Sequence, residues 1–126
     1  MSVILLVDDD IDIREAEELV LEDAGYRVVS AANGEEALAA LRNGLRPSVI
    51  LLDLMMPVMN GWELRERMLL DARIASIPMV VVTGDTMAAQ RAKSLAAAGY
   101  LAKPFATEEL LAIVARVTSA GPRAAT

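Results

Sequence analysis

Asp8, Asp9 and Asp10 in "VDDD", Asp53 in "VILLD", Thr83 in "VVVT" and Lys103 in "YLAKP" are the residues of this chain best equipped for chemistry, and each closes or follows a short apolar run. Gathered at one place, the carboxylates repel, by roughly 4 kcal/mol for a pair 4 Å apart at an effective dielectric near 20. A cation offsets that repulsion, and hard carboxylate oxygens suit Mg²⁺, which often shares its shell with a phosphate. An ammonium and a hydroxyl are what the oxygens of a phosphoryl group need beside them. A carboxylate can itself be the nucleophile and form an aspartyl-phosphate. Asp53 is best placed for that role, because it ends an apolar run and the loop "LMMP" after it can fold over a metal. Asp10 reads as a helix cap instead of a ligand.

The elements that must position these residues alternate in type. Apolar runs at 2–7, 26–31, 48–53, 77–83 and 100–102 predict strands, and helix-period segments predict a helix after each. The first helix spans 11–24, with Ile13, Ala16, Val20 and Ala24 on its inner face and Gly25 as its stop. The second starts at Asn33, has Ala37, Leu38 and Leu41 inside, and stops at Asn43-Gly44. The third starts at Asn60 and runs to about Ala72. Both carry Glu three residues after Asn, a capping-box pattern. "MAAQRAKSLAAA" predicts the fourth helix, and Thr107 is expected to cap a fifth that runs to about Thr118. A (βα)5 order implies a parallel sheet with helices on both faces. The C-terminal ends of all strands then share one edge, so Asp8, Asp53, Thr83 and Lys103 meet on one rim.

The bulk numbers bound the rest. A chain of 126 residues suits one domain, and 55% hydrophobic residues supply a core. The net charge of −6 is a poor start for direct binding of nucleic acid or anionic membrane. Without Cys there is no disulfide, zinc-thiolate site or thiol nucleophile. Without His there is no Ser-His-Asp triad, and the chain cannot itself carry a phosphohistidine. The segment "MSVILLVDDD" lacks a basic leader, and no apolar stretch reaches membrane-spanning length, so the expectation is a soluble, cytoplasmic domain.

The motifs "VDDD" (7–10), "LLDLMMPVMNG" (51–61), "VVTG" (81–84) and "YLAKP" (100–104), in this order, closely resemble the receiver domain of two-component response regulators. The resemblance covers residues 3 to about 118. It implies a flavodoxin-like, doubly wound α/β fold with strand order 2-1-3-4-5. It also implies one receiver domain over residues 1–119, with 120–126 left as a short flexible tail. By resemblance, Asp53 is the phosphoacceptor, supplied by a histidine kinase, a histidine phosphotransfer protein or a small phosphodonor. Asp9 is similar to the direct Mg²⁺ ligand, Asp8 to the one that holds the metal through water, and the backbone carbonyl of Met55 completes the set with Asp53. Lys103 resembles the lysine that bonds the acceptor and then its phosphate. Thr83 resembles the switch hydroxyl and Tyr100 the switch aromatic that turns inward behind it. Pro104 is expected after a cis peptide bond.

The chain varies that pattern in two places. Gly99 directly precedes Tyr100, so the link before the fifth strand is about two residues short. Asp85 lies two residues after Thr83, where its charge is expected to hinder or reorient a water attacking the phosphoryl group. The implied function is a phosphorylation-dependent switch, not a turnover enzyme, working as a monomer or weak homodimer on an unidentified output partner. A receiver-like scaffold without phosphotransfer is the alternative. A phosphohydrolase of the haloacid dehalogenase type is disfavoured, because it needs an acid where Met55 stands. A flavodoxin-like cofactor binder is disfavoured by the acidic rim. The runs "REAEEL" and "RER" read as solvated helix faces, and Met55, Met56 and Met59 as loop filling. Whether the receiver stands alone or belongs to a larger chain is open.

Overall fold

The computed structural model describes residues 2–56 and 58–119. Five strands alternate with five helices: β1 (Val3–Val7), α1 (Ile11–Asp23), β2 (Arg27–Ala31), α2 (Gly34–Arg42), β3 (Val49–Asp53), α3 (Gly61–Leu69), β4 (Met79–Thr83), α4 (Ala88–Ser94), β5 (Gly99–Ala102) and α5 (Thr107–Ser119). All strand pairs are parallel, in the order β2-β1-β3-β4-β5. This is the doubly wound, flavodoxin-like α/β fold that the receiver-domain resemblance implied. The tail expected at 120–126 lies outside the described residues.

Strand alternation divides the core into two layers. Ile4, Leu6, Leu51, Val80 and Val82 face α1 and α5, meeting Leu21, Leu110, Val114 and Val117. Leu5, Val7, Ile50 and Leu52 face the opposite side and meet Ala37, Leu38 and Leu41 of α2 and Leu64 and Met68 of α3. Strands covered on both faces need no polar alternation, which is why β3 and β4 are buried throughout.

Helix ends follow their side chains. Asp10 accepts from the Asp12 and Ile13 amides and caps α1, as expected. Asn33 accepts from the Glu36 amide at α2, while Glu36 returns to Ala32 instead of Asn33. Asn60 and Glu63 form the complete reciprocal box at α3. Gly25 and Gly44, at φ 99° and 107°, end α1 and α2 in the left-handed conformation that a Cβ disfavours.

Five expectations need correction. The inner face of α1 is Glu17 and Leu21, flanked by Ile13 and Val20, whereas Ala16 and Ala24 are exposed. Helix α3 stops at Leu69, and Asp71 then receives the Arg73 amide in a turn. Strand β4 begins at Met79, after Pro78, which has no amide to donate to the ladder. Helix α4 has only seven residues. It ends because Ala96 takes φ 54° and the Ala97 amide bonds the Ala92 carbonyl, a Schellman closure without its usual glycine. That early stop leaves Leu95–Ala98 as the link to β5. Finally, Thr107 is the first helical residue of α5 and not its cap; Glu109 instead reaches back to the Ala106 amide.

Candidate functional site

Strand register builds the site. Val7 pairs with Leu52, so the next residues, Asp8 and Asp53, leave the sheet side by side. Asp53 pairs with Val82 and Thr83 with Ala102, and the Lys103 amide donates to the Thr83 carbonyl at 2.8 Å. Asp8, Asp53, Thr83 and Lys103 therefore emerge along one rim. The first two are 2% and 7% exposed.

Carboxylate oxygens of Asp8, Asp9 and Asp53 lie within 4.8 Å of one another. Lys103 sits against the pair, its Nζ 3.5 Å from Asp8 Oδ2 and 3.6 Å from Asp53 Oδ2. Each acid is also anchored. Asp8 Oδ1 accepts from the Asp10 amide, and Arg14 donates to the Asp8 carbonyl at 2.7 Å. Asp53 Oδ1 accepts from the Met55 amide at 3.1 Å, which leaves Oδ2 turned toward Lys103. Burial pushes the Asp53 carboxyl up, against the Met55 amide and Lys103, which pull it down. Burial alone would pull Lys103 down, but Asp53 and Asp8 outweigh it and raise it.

The β3–α3 loop is fitted tightly behind Asp53. The Gly61 amide donates to the Leu54 carbonyl, and a Cβ at Gly61 would sit 3.1 Å from Leu54 Cα and 2.7 Å from its Cδ2. Met56 fills the core beneath the loop and Met59 packs at its edge, while the Met55 side chain is exposed.

The β4–β5 side is looser. The Thr83 hydroxyl accepts from the Asp85 amide at 3.1 Å. The Asp85 carboxylate accepts from the Met87 amide and from Arg91 Nε at 3.2 Å, and these two donors hold it below the usual carboxylate range. Tyr100 is 46% exposed on β5. The Lys103–Pro104 peptide is cis.

Two contributors were missed from sequence. Arg14 pins Asp8 through its backbone. Glu17, hidden in the charge run of α1, is only 8% exposed. Its signal was position: it lies four residues after Ile13 and four before Leu21, on the stripe that an apolar residue normally fills.

The response regulator receiver domain family matches residues 4–115. The chain belongs to that family. It is 38% identical over 114 residues to the response regulator Rre1 of Synechocystis sp., a match covering 88% of this chain and 49% of the relative. The receiver thus spans about half the length of the curated relatives it matches. Its fold is similar to that of the chemotaxis response regulator CheY4 of Vibrio cholerae, with a TM-score of 0.83, 39% identity, and 93% and 98% of the two chains covered. It is also similar to the receiver domain of the sensor histidine kinase PA1611 from Pseudomonas aeruginosa PAO1, solved with magnesium coordinated in its active-site cleft. There the TM-score is 0.81 at 29% identity, covering 94% and 98% of the two chains. Phosphorylation on aspartate and Mg²⁺ binding are general features of receivers. No helix among the described residues is long and apolar enough to cross a membrane.

Proposed function

We propose that this receiver accepts a phosphoryl group on Asp53 from a histidine kinase or histidine phosphotransfer protein and converts it into a changed partner-binding surface. The observation that carries this reading is the buried Asp53 carboxylate, with one oxygen held by the Met55 amide and the other 3.6 Å from Lys103, beside Asp8 and Asp9. The cluster fits Mg²⁺: its donors are hard oxygens, and one cation can reach all three acids. Asp9, Asp53 and the Met55 carbonyl would hold it directly, and Asp8 mainly through water. When bound, Mg²⁺ neutralises charge on the acids and on the incoming phosphoryl oxygens.

Asp53 Oδ2 attacks phosphorus; an oxygen–phosphorus bond forms as the donor's nitrogen–phosphorus bond breaks. Lys103 moves from the carboxylate to a phosphoryl oxygen. Thr83 turns its hydroxyl toward another, giving up the Asp85 amide, and Tyr100 turns inward into the space behind it. These movements alter the β4–α4–β5 face presented to an output partner. Residues 1–119 act as the unit, as a monomer or weak homodimer in the cytoplasm, without direct contact to nucleic acid.

The test is incubation with a small phosphodonor and Mg²⁺, followed by intact mass and peptide mapping. One phosphoryl group on Asp53 is expected. It should be lost in Asp53→Asn and in the presence of a chelator. NMR with beryllofluoride should shift resonances at Asp53, Thr83 and Tyr100. Unchanged mass and unchanged spectra in the intact protein would leave the scaffold reading instead.

A further inference from the structure

Lys103 has acidic neighbours on two sides. Asp8 and Asp53 contact it from β1 and β3. On the other side, a cavity of about 390 Å³ is lined by Ile13, Glu17, Lys103, Pro104 and Phe105. Three of those walls are apolar, so Glu17 is the acid that faces the lysine there. Among the described residues its carboxyl has no hydrogen-bond donor and no ion-pair partner within 4 Å. A carboxyl kept on an apolar stripe, where leucine or valine would add to the core, costs stability without a compensating contact.

A cation held by Asp8, Asp9 and Asp53 would repel the Lys103 ammonium from the oxygens it now contacts. The lysine stem is long and flexible, and the cavity beside it leaves room to swing toward α1. We propose that Glu17 is a positioning residue that offers Lys103 a second carboxylate on the α1 side when the three aspartates engage a cation. The lysine is thereby kept at the phosphoryl site instead of being expelled into solvent. The inference rests on the metal-site reading above and deepens it. The charges facing Glu17 are Asp8 from β1, Asp53 from β3 and Lys103 after β5. Arg14, on its own helix, is committed to the Asp8 carbonyl. Burial, then Asp8, push the Glu17 carboxyl up to about 7, so its charge is present at pH 8 and largely absent at pH 6.

The experiment is calorimetric titration of the chain with MgCl₂ at pH 6 and pH 8, for wild type, Glu17→Gln and Glu17→Leu. Gln keeps the size and removes the charge; Leu removes both and suits the apolar stripe. At pH 8 both variants should bind Mg²⁺ about fivefold more weakly than wild type, the scale of one modest ion-pair interaction. At pH 6 the three proteins should agree. In NMR, the Lys103 side-chain resonances should move on Mg²⁺ addition in wild type toward a shift that neither variant reaches. Equal affinities and equal Lys103 shifts at pH 8 would reduce Glu17 to a buried charge without a role. Absence of Mg²⁺ binding by wild type itself would overturn the metal-site reading, and this proposal with it.

Discussion

The β1–β3 half of the rim and the β4–β5 half are built to different standards. On the first, the helices α1, α2 and α3 that follow β1, β2 and β3 each have a side-chain cap, and α1 and α2 end on a glycine suited to positive φ. Asp8 and Asp53 are each tied to a backbone amide close by in sequence. On the second, α4 is two turns long, lacks a side-chain cap and ends on Ala96 at positive φ. The Thr83 hydroxyl has one amide partner, as Asp8 and Asp53 do, but Tyr100 beside it is 46% exposed. A site that must hold three carboxylates together needs fixed supports. A surface that must rearrange after one covalent event needs few contacts to give up. Under the proposed function, the difference puts the acceptor and the metal-holding acids on the better-supported half, while Lys103 and Thr83 reach them from the half that must respond.

Glu17 is the discordant element of the rigid half, and the largest effect is expected there. An acid with a folded-state pKa of about 7 against an ordinary 4.5 keeps its proton longer in the fold than in the unfolded chain. Stability therefore falls as pH rises through that interval and levels off above it. Glu17→Leu should remove the decline, and its advantage over wild type should grow between pH 5 and pH 8 by up to roughly 3 kcal/mol. Urea unfolding at both pH values measures this, and a constant difference would place the Glu17 carboxyl in a more hydrated setting than its burial implies.

Gly61→Ala tests how tightly the rigid half is fitted. The new Cβ must displace Leu54, next to Asp53, so a loss of about 2 kcal/mol is expected in the same assay. A smaller loss would show that the β3–α3 loop yields, which would narrow the contrast between the halves. On the looser half, Ala96→Gly should instead gain about 0.5–1 kcal/mol, because the αL position at the end of α4 no longer opposes a Cβ. Hydrogen exchange should show the α4 amides exchanging faster than those of α2, and the variant should slow them.

The smallest effect is kinetic. Asp85 is engaged by Met87 and Arg91, which restrains the carboxylate that was expected to meet the attacking water. Asp85→Ala should speed loss of phosphate from Asp53 only a few-fold, about 2 to 5. An unchanged rate would sink the idea that this charge governs the water.

Much of this was legible in the chain. Apolar runs ending in Asp8, Asp53 and Thr83 marked both the strands and the rim, because a buried parallel strand tolerates polar atoms only where it leaves the sheet. Asn-x-x-Glu marked two helix starts, and glycines marked two stops. What failed was what depends on neighbours. Glu17 looked like one more solvated acid, because composition cannot show which face of a helix meets the sheet when an acid occupies it. Helix α4 was read too long, because an alanine-rich segment has no local reason to stop. Its end is decided by Ala96 accepting positive φ so that Ala97 can pack with Ala92 against Leu54 and Val81.

The sequence by itself determined the alternation of elements, the acids and lysine at the strand ends, and the family. Those signals are local: periodicity, caps, and residue types at fixed spacing. Only the tertiary structure decided that Lys103 touches Asp8 and Asp53 with Glu17 across a cavity, and that α4 is the short, uncapped helix. Strand register and helix packing bring together groups 45 to 95 residues apart, and no local preference encodes the distances between them.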